Sequence, residues 1–240
     1  MKRFNLMDRV LFALSVPTCV ACHKRLSYGQ MAFCPECSTI FDDFRTRNCS
    51  RCAKILSKCD CSNEFLSSHY VKKVVKCYRY LDRDEAKPGN ALIYSLKRDN
   101  RLDVLNVCRD LLIGALKNAN IDFKNCIFIN VPRRKAAIIE YGIDHSEMLA
   151  RAIAKSLHAR YIALLSSKAK RPQKSLETTE RFKNAEFYLN RKPNLSGKTV
   201  IIVDDIITTG ASVGKAAAYV RSLGCKDIIA ATLAIAYKDM

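Results

Sequence analysis

The chain has 240 residues and no tryptophan, with 41 Lys and Arg against 23 Asp and Glu, a formal net charge of +18. That length suits one large and one small domain. The excess charge points to polyanions, nucleic acid or phosphorylated small molecules, although a lysine-rich composition typical of A+T-rich genomes accounts for the same excess. No apolar run is long enough to span a membrane, and no aromatic-basic RNA-binding signature is present.

The N-terminus begins Met1-Lys2-Arg3, and Val10 to Val16 is apolar. This resembles a secretory leader, but the apolar run is short, Asp8 and Arg9 precede it, and no small-residue cleavage site follows. A short amphipathic helix and a cytoplasmic chain are expected instead.

Twelve cysteines are present, eight of them between positions 19 and 61. They form Cys19-x2-Cys22, Cys34-x2-Cys37, Cys49-x2-Cys52 and Cys59-x-Cys61. A two-residue gap lets two thiolates grip one tetrahedral metal from a single tight turn, and two such turns complete a four-sulfur site. Eleven residues separate the first pair from the second, enough for a short ribbon. The first quartet reads as a zinc site; the second has the tighter Cys59-Asp60-Cys61 gap, so one or two zinc ions are expected. A disulfide framework is the alternative, but nothing else looks secreted. Cys77, Cys108, Cys126 and Cys225 lie in apolar surroundings and read as free core thiols.

Beyond the cysteines, Tyr70 to Tyr80 reads as a strand pair or a connector, broken by Lys87-Pro88-Gly89-Asn90. Asn90 to Arg98 looks helical. Asp103 to Ala119 is a long helix with Leu105, Cys108, Leu112 and Leu116 in register. Cys126 to Val131 is a buried strand ended by Pro132. Asp144 to His158 is a helix carrying Leu149, Ile153 and Leu157 on one face, with Asp144 as its cap. Arg160 to Leu165 reads as a strand, Ser166 to Asn184 as a polar, basic loop, and Glu186 to Leu189 as a short strand. Residues 227–236 form a last buried strand. Alternating strands and helices imply a parallel α/β sheet.

The most informative run is Val200-Ile201-Ile202-Val203-Asp204-Asp205-Ile206-Ile207-Thr208-Thr209-Gly210-Ala211-Ser212. Thr199 to Val203 reads as a strand buried on both faces, with the acidic pair at its end. Val213, Ala216, Ala217, Val220 and Leu223 follow at helical spacing, and Gly224 stands where a C-cap glycine belongs. Open α/β sheets bind ligands at such a strand end, and a helix N-terminus favours an anion. Gly210 allows close backbone approach, and the threonine hydroxyls can donate to phosphate oxygens. Asp204 and Asp205 can accept from vicinal hydroxyls, directly or through Mg²⁺. The set suits a ribose bearing a 5′-phosphate.

These residues resemble the PRPP-binding motif of type I phosphoribosyltransferases. The resemblance implies that Asp204 and Asp205 hold the ribose hydroxyls, and that Thr208, Thr209, Gly210, Ala211 and Ser212 hold the 5′-phosphate, with Mg²⁺ accompanying PRPP. With the cysteine knuckles ahead of it, the chain resembles the ComF proteins over nearly its full length. The implied organisation is a helix and zinc ribbon over 1–68 and a phosphoribosyltransferase-like domain over 69–240. Leu96-Lys97 resembles a basic element that the family places after its first helix. Val131-Pro132, Glu140 and Gly142 resemble the loop that approaches pyrophosphate. Gln173, Leu176, Arg181 and Asn184 resemble a spaced set in the family's mobile segment. The chain departs where members carry an arginine pair: it has Ala136-Ala137, with Arg133-Arg134-Lys135 upstream, either a pyrophosphate-binding cluster or a solvated turn. Tyr141, Ile143, Asp144 and His145 also differ from the family around Gly142.

Bacterial ComF members include competence proteins needed for natural transformation. The implied role is DNA uptake, with single-stranded DNA, PRPP or a related nucleotide, and DNA-uptake or recombination proteins as partners. DNA would contact the ribbon or the basic stretch from Lys168 to Lys198. The alternative is an active phosphoribosyltransferase in which Arg133, Arg134 and Lys135 neutralise the leaving pyrophosphate; no acceptor pocket is legible.

Overall fold

The computed structural model describes residues 17–49, 51–59, 61–167 and 187–236. The expected N-terminal helix and the family-like positions Gln173, Leu176, Arg181 and Asn184 lie outside them. At the centre is a five-stranded parallel sheet of β1 (Val71–Arg79), β2 (Cys126–Asn130), β3 (Arg160–Tyr161), β6 (Thr199–Ile207) and β7 (Asp227–Ile235), ordered β1-β7-β6-β2-β3. A separate antiparallel pair joins β4 (Leu165–Ser167) to β5 (Phe187–Leu189).

The central strands are apolar on both faces because helices or loops cover both. One face carries Val75, Cys77, Phe128, Ile201, Val203, Ile229 and Ala231. Against it pack α1 (Pro35–Arg45), α3 (Lys87–Arg98), α4 (Leu102–Asn118) and α6 (His145–Ser156). The other face carries Val74, Ile127, Ile129, Val200, Ile202, Ile228 and Ala230. It is covered by α7 (Ala211–Ser222), the β4–β5 pair and Leu66 of the one-turn helix α2 (Glu64–Ser68). The remaining helix, α5 (Lys135–Tyr141), follows β2.

The first half of the cysteine-rich segment shares the first of these cores, while Cys49, Leu56 and Cys59 form a small cluster of their own. Cys19, Cys34, Cys37, Phe41 and Phe44 belong to the same buried cluster as Tyr78 and the α4 apolar stripe. Phe41 meets Tyr78 edge-on, with ring centroids 5.0 Å apart. The Ala32 N–H donates to Asp103 Oδ2 at 3.0 Å, and Arg101 donates to the Thr18 carbonyl at 2.8 Å.

Several elements differ from the sequence expectation. Tyr70 to Tyr80 is one edge strand paired in parallel with β7, not a strand pair. The helix expected from Asn90 starts earlier, at Lys87, so the segment that follows the end of β1 is also the first turn of α3; proline is tolerated there because first-turn N–H groups need no helical acceptor. Arg160 to Leu165 is not one strand: Arg160 and Tyr161 pair with β2, and Leu165 turns to pair with β5. β6 does not stop at Val203 but continues through both aspartates, because β7 remains alongside as far as Ile207↔Ile235. Leu105, Cys108, Leu112 and Leu116 are all buried, as are the four scattered cysteines, which are free thiols. Asp144 caps α6 by accepting from Glu147 N–H, and Gly224 follows α7 at φ +78°. No helix among the described residues is long and apolar enough to cross a membrane.

Candidate functional site

Four elements meet at the carboxyl edge of the sheet. β6 ends in Thr208-Thr209-Gly210, which turns into α7. The β2 exit supplies Pro132, Arg133 and Arg134. α3 presents Lys97 from its last turn, and α6 presents Ser146 from its first. Together with Asp204, Asp205, Ala211 and Ser212 they line one pocket of about 530 Å³, with Val131, Ser167, Ile206, Ile207 and Val213 completing the wall.

The loop conformation follows from its sequence. Gly210 caps α7 at φ +87°, a left-handed conformation that suits glycine. Its missing Cβ matters twice: a Cβ there would come within 2.8 Å of Leu66 Cγ. The close approach Gly210 permits is therefore to a side chain of this chain. The Ala211 N–H donates to Thr209 Oγ1 at 3.3 Å, while Thr208 is exposed at the pocket.

The buried charge of Asp205 is paired. Asp205, only 4% exposed, lies 3.0 Å from Lys97 Nζ and 2.9 Å from an Arg133 guanidinium nitrogen. Burial pushes this carboxyl up, but the two cations outweigh it and hold it below the usual carboxylate value. Asp204 is shifted the opposite way: burial, then the neighbouring Asp205 charge, raises it to about 8. Its Oδ1 accepts from Ser146 Oγ at 3.3 Å and from the Asp205 N–H at 2.9 Å. The pair thus holds one ionised carboxylate and one poised near neutrality. Asp144 fixes the Arg133 backbone, accepting its N–H at 2.9 Å. His145 beside it is buried, and burial and the Arg133 charge lower it to about 4, leaving a neutral ring whose Nε2 lies 3.2 Å from Asn100 Oδ1.

Of the residues expected at a ribose-phosphate site, Asp204, Asp205, Thr208, Thr209, Gly210, Ala211, Ser212, Arg133 and Arg134 all border this pocket. Lys135 opens α5, and its side chain lies outside the described part. Arg133 is not a solvated turn residue, being 17% exposed at its side chain and bound to Asp205. Lys97, Ser146 and Ser167 border the pocket too. Lys97 was legible as part of the family-like basic element Leu96-Lys97 but not as a partner of Asp205; Ser146 and Ser167 carried no signal. Carboxylate oxygens such as those of the acidic pair are a ligand type that could hold Mg²⁺.

The eight N-terminal cysteines gather into two quartets, Cys19-Cys22-Cys34-Cys37 and Cys49-Cys52-Cys59-Cys61, each with all sulfurs within 4.8 Å of one another. Sulfurs bound to one zinc at about 2.3 Å stand roughly 3.8 Å apart, so either quartet could hold a metal. One thiol in each ionises readily. The Lys54 backbone N–H draws Cys52 down to about 7. At Cys19 burial opposes ionisation, yet backbone N–H groups of Cys22, Cys34 and Ala21 bring it to about 7.

Residues 144–239 match the family model of the phosphoribosyl transferase domain. This part of the chain is similar to phosphoribosyltransferase domains. The two cysteine quartets ahead of this match agree with the organisation that the resemblance to ComF proteins implies. It is 25% identical over 222 residues to "DNA utilization protein YhgH" of Escherichia coli O6:H1, covering 85% of this chain and 91% of that protein. The protein of the same name from Escherichia coli K12 is 24% identical over the same length. Among solved structures, the purine phosphoribosyltransferase of Pyrococcus horikoshii aligns with 55% of this chain and 72% of its own, at 18% identity and a TM-score of 0.36. A hypoxanthine phosphoribosyltransferase from Staphylococcus aureus aligns with 57% and 67%, at 13% identity and the same TM-score.

Proposed function

We propose that the pocket binds PRPP or a related nucleotide with Mg²⁺, and that the chain serves DNA uptake in natural transformation, engaging single-stranded DNA. The observation that carries the ligand reading is the convergence of Asp204, Asp205 and the Thr208–Ser212 turn with Lys97 and Arg133 around one pocket. Carboxylates suit ribose hydroxyls or a Mg²⁺ ion, loop N–H groups suit the 5′-phosphate, and the two cations suit a pyrophosphate. The DNA role draws on the relatives' name and the net charge of +18.

Calorimetry with PRPP, with and without Mg²⁺, tests the ligand. Wild type should bind, and Asp204→Asn/Asp205→Asn, checked for folding by circular dichroism, should lose at least tenfold in affinity, as expected when charge-assisted hydrogen bonds are removed. Absence of wild-type binding would reject the reading. Labelled single-stranded DNA in a salt series tests the partner: binding should weaken steeply with salt, and none at low salt would remove DNA from the proposal.

The cations lining the pocket also favour a second reading, phosphoribosyl transfer. A nucleophilic acceptor would bond to C1 of PRPP as the C1–O bond breaks. The electron pair leaves with pyrophosphate, and the acceptor proton passes to solvent. Lys97 and Arg133 would stabilise the departing charge. Acceptor-dependent pyrophosphate release would establish it, and its absence across a broad acceptor screen would leave binding alone.

A further inference from the structure

The second cysteine quartet and the turn ahead of α7 are far apart in sequence, yet α2 joins them physically. Asn63 stands two residues after Cys61. Its Nδ2 donates to the Thr209 carbonyl at 3.3 Å, while its Oδ1 caps α2 by accepting from Leu66 N–H at 2.8 Å. Leu66 is fully buried and fills the space left by the absent Gly210 Cβ. One turn along α7, a Cβ on Gly214 would come within 2.9 Å of Phe65 Cε1. Two glycines of the α7 N-terminus thus form the seat for two consecutive side chains of α2.

The other end of this bridge is anchored at the quartet. The Cys61 carbonyl accepts from Lys76 Nζ at 2.7 Å, and Lys76 on β1 is fully buried. Arg51, adjacent to Cys52, donates to the Ser62 carbonyl at 2.7 Å. Residues 61 to 66 are therefore held at one end by the quartet and its strand, and at the other by the turn over Thr209 and Gly210. Among the described residues the first quartet lies elsewhere: three of its cysteines are buried in the cluster on the opposite face of the sheet.

We propose that Asn63 and Leu66 are positioning residues for the Thr208–Ser212 turn, and that metal held by the second quartet, not the first, keeps them in place. Hydrogen bonding and packing fix the turn's amides before a phosphate arrives, so less ordering is required on binding. Metal loss at Cys49, Cys52, Cys59 and Cys61 would loosen a phosphate site built from residues more than a hundred positions away. The consequence for ligand affinity rests on the ribose-phosphate reading; the ordering of the turn does not.

The test is hydrogen–deuterium exchange on full-length, zinc-loaded protein, following peptides across residues 204–213 and 62–69. Asn63→Asp retains the oxygen that caps α2 but removes the N–H donor to Thr209. It should raise exchange in 208–212 several-fold while leaving 64–68 protected, an outcome a helix-capping role would not produce. Cys61→Ser should raise exchange in both segments, and Cys22→Ser in neither. Unchanged exchange at 208–212 in Asn63→Asp and Cys61→Ser would overturn the proposal, as would an equal rise in Cys22→Ser. PRPP calorimetry on the same samples should show Asn63→Asp weakened on the order of fivefold, the worth of one hydrogen bond. If wild type binds no PRPP, the ligand reading fails while the exchange data still decide the role of the bridge.

Discussion

Lys97 Nζ lies 3.0 Å from Asp205 Oδ1, joining the last turn of α3 to the middle of the sheet. Arg133 reaches the other oxygen of the same carboxylate. The acidic residue is thus neutralised from two sides by segments remote in sequence, which is how β6 carries a buried carboxylate without ending.

Lys97→Met should lower stability by about 1–3 kcal/mol at neutral pH, the usual effect of removing one partner of a charge-assisted hydrogen bond. Asp205 is held below its unfolded value, so its contribution is present above that value and lost as pH falls through the folded one. The gap between wild type and Lys97→Met, read by urea unfolding, should therefore shrink on acidification.

Asp204 gives the opposite dependence. Its carboxyl is raised from an unfolded value of about 3.9 to about 8 in the fold. Its contribution is fully present below the unfolded value and is lost as pH rises through about 8. Unfolding curves should show Asp204→Asn gaining on wild type between pH 4 and pH 8. A constant offset across that interval would place the raised carboxyl elsewhere.

Two metal equivalents per chain are expected from the two quartets. Native mass spectrometry should find two zinc ions in wild type and one in Cys37→Ser or Cys52→Ser. Cys37→Ser should also lose several kcal/mol on thermal unfolding, because structural zinc contributes directly to folding and Cys37 sits in the main core.

Packing beneath the ribbon gives a prediction independent of any ligand. Tyr78 is fully buried, and its hydroxyl donates to the Gly89 carbonyl at 2.9 Å. A Cβ on Gly89 would lie 2.8 Å from the Tyr78 ring and 3.1 Å from Phe41. Gly89→Ala should cost about 1–3 kcal/mol by overpacking, and Tyr78→Phe about 1 kcal/mol by removing a buried hydrogen bond. Chemical denaturation would measure both.

Much of this was legible where the determinants are local. The α4 stripe, the Asp144 cap, Gly224 after α7 and the two-residue cysteine gaps each rest on spacing within one element. The acidic pair and Thr-Thr-Gly turn were legible for the same reason. The end of β6 was misread because polar residues usually close a strand, whereas here β7 supplies hydrogen-bond partners beyond them and Lys97 and Arg133 supply countercharge. The start of α3 falls three residues ahead of the expected Asn90 because a first helical turn accepts Pro88. The seat of Leu66 on Gly210 depends on where a distant segment is brought by the fold, and no local pattern encodes that.

The strand order β1-β7-β6 carries a temporal consequence for synthesis. β1 is translated soon after the cysteines, but its neighbour in the sheet is β7, the last strand. Until Asp227–Ile235 has left the ribosome, β1 presents an open edge to solvent and chaperones. β7 must then insert between β1 and β6 and complete two ladders at once. A stop codon or a proteolytic nick just before Asp227 would therefore do more than shorten the sheet: among the described strands, it would cut β1 away from the rest of the central sheet.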